Sequence, residues 1–192
     1  MVILDHFSRH TRLPIKIDNV IGFILEAGFV DSILLHPVED DDPAETPGVL
    51  LRRKRKVPYA VGHMADIAYP ARLPPYWQRL ICAKELLHLE SDEGQWVRTK
   101  ETVSRLITGI VLPMSAAIEL AKINVEVGID HSGILLALAL LFPRDARDEL
   151  RPLYDTVLSD EQISALAEIP SQFIPLIMSD AWGGVLDQLC PA

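Results

Sequence analysis

Apolar and polar positions change rhythm several times along this chain. Over the first thirty residues Ile15, Val20, Ile21, Ile24, Leu25 and Phe29 fall mostly on one face of a 3.6-residue repeat, with Gly28 near its end, and predict a helix. The run from Val38 to Gly48 is the most polar of the chain, has no periodicity and reads as a loop. Gly48 to Gly62 has short β-prone runs around a basic middle and predicts a strand pair. Pro70, Pro74 and Pro75 then punctuate the approach to a helical region. Residues 76–90 begin after proline, contain helix formers and meet no glycine until Gly94. Thr99 is placed to cap a second helix through Val103, Leu106, Ile107 and Ile110 that ends near Pro113, and Ser115 starts a third. Residues 129–142 make a strongly apolar fourth. Ser159-Asp160-Glu161-Gln162 has capping-box spacing, so Ile163, Leu166 and Ala167 should follow in a helix. Pro170 and Ser171 interrupt it, and a last helix carries Phe173, Ile174 and Ile177. The pattern predicts an α+β fold, mainly α, with a small antiparallel sheet before the helix that starts at Pro75.

Length fits one domain over residues 1–192, since about 150 residues make a typical domain. The parts are a loop at 38–48, the strand pair at about 48–62 and a helical region at about 75–182. With 49% apolar and 23% charged residues the chain can bury a core without staples, which excludes a disordered or collagen-like chain. The net charge of -9 makes it a poor non-specific binder of nucleic acid or anionic membrane. Cys82 and Cys190 are too few for a disulfide scaffold and lack metal-ligand spacing. The longest apolar stretch, Gly133 to Pro143, is too short to cross a bilayer, and the acid and histidine within the first six residues do not suit a signal peptide. These absences lead us to expect a reduced, cytoplasmic protein.

The stretch that carries chemistry is Arg79 to His88. Its end, Lys84-Glu85-Leu86-Leu87-His88, has the outline of H-E-x-x-H with lysine in place of the first histidine. In the intact motif, histidines at i and i+4 on one helical face grip zinc, and the glutamate works a metal-bound water. Here positions 84 and 88 still share a face and Glu85 is in place.

Arg79-Leu-Ile-Cys-Ala-Lys-Glu-Leu-Leu-His88 resembles the R-F-T-x-A-H-E-L-G-H segment of the ImmA/IrrE family of zinc metallopeptidases. Ile134 to Pro143 is similar to the family's A-x-x-F-A-A-x-L-L-M-P helix, and Ile163 to Ile174 to its closing I-A-x-x-F-x-V-S-x-x-A-V segment. The three occur in the family's order, cover most of residues 75–180, and follow a strand pair as the family's do. The resemblance implies a cytoplasmic zincin-like domain, and a partner or substrate among helix-turn-helix repressors, often of phage or mobile elements. Carried over by residue, Glu85 matches the catalytic glutamate, His88 the second histidine ligand, and Lys84 stands where the first ligand belongs. The third ligand, a glutamate, falls on Ser132; Asp130 and His131 beside it are the nearest replacements, and Glu126 a more remote one.

Lysine changes the expectation for zinc. A lysine at its reference pKa of about 10.4 must lose a proton to become a ligand, about 3.4 units or ~4.6 kcal/mol at pH 7. Without metal the attacking water keeps a pKa near 15.7 instead of about 7, and Glu85 has nothing to activate. This favours a hydrolase fold without zinc or activity, in which the Lys84 ammonium takes the metal's place and pairs with Glu85 or Asp130. Such a protein would act by binding a partner in the old substrate groove. The alternative is an active zinc endopeptidase with Glu85 as general base and zinc on His88, Asp130 and His131.

A third reading starts from Leu51 to Val57, which holds five of the eighteen basic residues consecutively at 52–56. The run could contact phosphates. With no interleaved aromatics, an exposed edge strand whose charges discourage edge pairing is the better expectation. His6, His10, His36 and His63 lack ligand spacing and read as structural or exposed. Cys82, six residues from His88, reads as a small core residue, and Trp77 and Trp96 as packing for the motif helix. The closing helices around Ile169-Pro170-Ser171 have a faint helix-turn-helix look but no basic recognition helix.

Overall fold

The computed structural model describes residues 2–39, 48–57, 60–90 and 125–189. In chain order these form α1 (Val2–Phe7), α2 (Ile17–Glu26), β1 (Ser32–Val38), β2 (Val49–Val57), β3 (Ala60–Pro70), α3 (Pro75–Leu87), α4 (Val125–Leu141), α5 (Arg144–Leu150), α6 (Asp160–Ala167), α7 (Ile174–Met178) and α8 (Ala181–Leu189). Among the described residues the fold is α+β and mainly helical, as the pattern predicts. None of the described helices is long and apolar enough to cross a membrane. The helices expected over 99–124 lie outside the described residues.

Three expectations need correction. The opening helix is two, because Pro14 lacks the N–H that a continuous helix would use and disfavours helical backbone at the residue before it. The sheet is mixed rather than antiparallel, in the order β1-β3-β2. An antiparallel pair is present but longer than the expected 48–62, since β3 continues to Pro70; Leu50 lies opposite Ile67, and β1 adds a parallel third strand with Leu35 opposite Ile67. Strand β1 escapes sequence reading because Ile33, Leu34 and Leu35 form an unbroken apolar run although Leu34 points away from the core and is half exposed. Finally, α8 follows α7; its Trp182 is fully buried beneath α4 and α7.

The sheet lays one face on α3. Ala65 and Ile67 of β3 and Leu50 of β2 are buried on this inner face with Leu80, Ala83 and Leu86 of α3. Pro75 opens α3 at a position where its missing N–H leaves no gap in the helix ladder. Every residue from Leu80 to Leu87 is buried, because α3 is covered by the sheet, by α2 and by α4. From Gly133 to Leu141 helix α4 is apolar on all sides, with Ile134, Leu135, Ala137, Leu138, Leu140 and Leu141 in the core. A helix of that composition must be central rather than peripheral.

The ends of these elements are tied by polar contacts. Past α3 the chain makes a 3-10 turn over His88–Glu90, where the Glu90 carboxylate accepts from the N–H groups of Val2 and Ile3 and caps α1. The capping box of α6 is formed as its spacing predicts: Gln162 N–H donates to Ser159 Oγ, and Ser159 N–H donates to Gln162 Oε1 at 2.9 Å. Trp77 packs edge-on against Phe173 with ring centroids 5.5 Å apart, fixing the start of α3 to the closing helices.

Candidate functional site

Adjacent residues of a helix point about 100° apart and do not ordinarily meet. Lys84 and Glu85 meet nonetheless: Nζ lies 2.9 Å from Oε1, and both side chains are about 5% exposed. Burial explains the contact, since neither charge reaches water and each side chain must turn toward an opposite charge.

Two glycines pack against this pair. Gly133 of α4 passes over the lysine stem: a Cβ there would lie 3.2 Å from Lys84 Cγ and 3.7 Å from His88 Cε1. Gly48, just before β2, has φ +149°, and a Cβ would sit 2.8 Å from Glu85 Oε1 and 2.5 Å from Ile81 Cγ2. Only glycine gives both the backbone conformation and the clearance at residue 48. The carbonyl of His88 accepts from Arg52 Nη2 at 2.8 Å, so the basic run of β2 sends its first member inward to the end of the motif helix.

Lys84, Glu85 and His88 are thus brought together between β2 and α4. Asp130 and His131 fall within the first turns of α4. Helical spacing puts position 130 on the face that carries Gly133 and position 131 away from it; their side chains lie outside the described residues. Arg79 stands apart from the pair. Its guanidinium donates to the carbonyls of Ile15, Ala167 and Glu168, with Nε 3.7 Å from Glu168 Oε2. It fastens α3 to the N-terminal segment and to the end of α6. Burial pulls its pKa below the usual arginine range, and Glu168 opposes that shift.

Cys82 is buried, as expected, and burial assisted by the charge of Glu85 pushes its thiol up to about 12. It is a protonated core group near neutral pH. With Arg79, Lys16, Tyr69, Gln78 and Glu168 it borders a shallow cleft of about 290 Å³, on the side of α3 away from Lys84 and His88.

Of the candidate ligands, Lys84 and Glu85 are engaged with each other and His88 lies one helical turn beyond Lys84, whereas catalytic zinc takes three protein ligands. Among the described residues no three histidine, cysteine or acidic side chains converge on a point.

Sequence reading missed a second polar cluster. On the outer face of the sheet, Asp66 of β3 is buried, His36 Nε2 lies 2.9 Å from its Oδ1 and Arg53 Nε 2.6 Å from its Oδ2. One signal was present: Asp66 is the lone acid in the β-prone run Ala60 to Pro70. His36, isolated in sequence, therefore has a structural partner. No protein-family model, curated protein or solved structure matches this chain.

Proposed function

We propose that this chain is a metallopeptidase-like protein of the ImmA/IrrE type in which lysine has replaced the first metal ligand. On this reading it acts by binding a partner protein rather than by hydrolysis. The resemblance makes a helix-turn-helix regulator the candidate partner. The observation that carries the reading is the buried contact of Lys84 Nζ with Glu85 Oε1.

The chemistry follows from the charges. A peptidase of this outline needs Glu85 free to take a proton from an activated water. Here its carboxylate neutralises an ammonium in a water-poor interior. Deprotonating Lys84 so that it could hold a metal would cost about 4.6 kcal/mol at pH 7 from its reference pKa alone, before the loss of its ion pair. Gly48 and Gly133 bring backbone close to Glu85 and Lys84, which leaves little space beside the pair. What remains of a hydrolase is its scaffold: a sheet edge beside a buried helix, which suits a recognition surface.

The test is elemental analysis of protein purified without chelators or a metal-binding tag, with Lys84→His in parallel. We expect the native chain to carry no stoichiometric zinc and Lys84→His to take up about one ion. Native protein holding one zinc per chain would overturn the reading. Peptidase assays with Glu85→Gln as control would then decide activity.

A further inference from the structure

Strand β2 lies at the edge of the sheet, and among the described residues no strand pairs with its outer side. Every other residue of an edge strand turns its N–H and C=O outward, which makes the edge a template for one more strand. Nine residues long, β2 offers a full-length partner site. It also carries the basic run Arg52 to Lys56 in a chain of net charge -9.

We infer that the outer edge of β2 takes up an extended acidic segment of a partner protein as a fourth strand of the sheet. The inference rests on the reading of the chain as a protein-binding module and names the chemistry of its partner. Charge selects the occupant. Two copies of β2 meeting edge to edge would set basic runs against each other, and like charges across a strand pair are destabilising. A strand rich in glutamate or aspartate meets the opposite situation.

Exposure fits that use. Arg53 is 62% exposed although it reaches Asp66, and Lys54 is exposed. Val49 and Leu51, exposed on the outer face, give apolar neighbours to alternate side chains of a docked strand. The edge is also continuous with the site described above. Gly48, at the start of β2, touches Glu85, and Arg52 holds the His88 carbonyl. A segment docked on β2 would therefore run along the end of the motif helix.

The experiment titrates the full chain against a fluorescent peptide of about twelve residues that alternates glutamate with valine and threonine, read by anisotropy. We expect saturable binding that weakens with salt, slower amide exchange confined to residues 49–57, and about a tenfold loss of affinity in Lys54→Glu/Lys56→Glu. Circular dichroism and thermal melting would establish that this variant is folded. Equal binding of the same peptide with glutamine for glutamate would overturn the inference. So would tighter binding of a DNA duplex with a steep salt dependence, which would make the run a phosphate-contacting surface. Absence of binding to either probe would also overturn it. Failure here is separable from failure of the functional reading: the latter turns on zinc in the native chain, which none of these titrations measures.

Discussion

Two buried carboxylates sit within one domain and are neutralised in opposite ways. Glu85 lies between α3, β2 and α4 with a partner, Lys84, that is as buried as itself. Asp66 lies on the outer face of the sheet and is also nearly inaccessible, but its partners are His36, about half exposed, and Arg53, 62% exposed. The cost of an interior charge depends on what happens when its partner leaves. Water can approach Asp66 through the space that His36 or Arg53 would vacate. Around Glu85 Ile81 and Gly48 pack closely, so removing Lys84 takes away the buried cation that faces it. The first arrangement tolerates change; the second locks two residue types together.

The sharpest way to break this comparison is Lys84→Met. We expect a loss of about 3–5 kcal/mol, the usual cost of stripping a buried charge of its partner. Equilibrium urea unfolding followed by tryptophan fluorescence measures it. Lys84→Met/Glu85→Gln should recover most of the loss, because two neutral side chains of similar volume carry no stranded charge. A single variant within about 1 kcal/mol of wild type would mean that Glu85 reaches water or another cation, and the contrast with Asp66 would vanish.

The glycines rank next. Gly48→Ala forces a left-handed φ on alanine and drives its Cβ to 2.5 Å from Ile81 Cγ2; a loss of about 2–3 kcal/mol is expected. Gly133→Ala is the finer probe. In a helix with free space alanine would gain about 1 kcal/mol over glycine. At 3.2 Å from Lys84 Cγ the methyl presses on a stem whose far end is held by Glu85, so a net loss of about 1 kcal/mol is expected in the same unfolding assay. A stabilised Gly133→Ala would show that Lys84 can shift, and with it the pair.

How much of this was legible in the sequence depends on which residues are asked about. The motif helix, α4 and the capped start of α6 were readable, because proline at a helix start, an unbroken apolar run and Ser-x-x-Gln are local signals. Strand β1 was not, because its pattern has meaning only once β3 lies beside it, and the parallel pairing is a non-local event. The Lys84 contact with Glu85, one of its two expected partners, follows from the motif outline, in which a positive charge stands at the metal's place. The roles of Gly48 and Gly133 were not, since an isolated glycine shows in sequence only as a gap in a pattern and its meaning lies in what passes over it. Arg79 stood within the motif yet serves as a fastener, because residues on opposite faces of one helix are neighbours in sequence and strangers in space.

The smallest expected effects fall on the outer face, and they sharpen the comparison rather than break it. Asp66→Asn keeps the shape, removes the charge between His36 and Arg53, and leaves two side chains that solvent can reach. A loss of about 1–2 kcal/mol is expected, for one hydrogen bond with His36 and one ionic contact with Arg53 at the edge of burial. His36→Ala should cost under about 1 kcal/mol, the range for an ion pair with one exposed member, and the loss should shrink further in high salt. The same salt series on Lys84→Met should leave its larger loss almost unchanged, because ions do not enter the space between α3 and α4. Parallel salt dependence in the two variants would mean that both carboxylates sit in the same dielectric environment, and the distinction drawn between them would have to be abandoned.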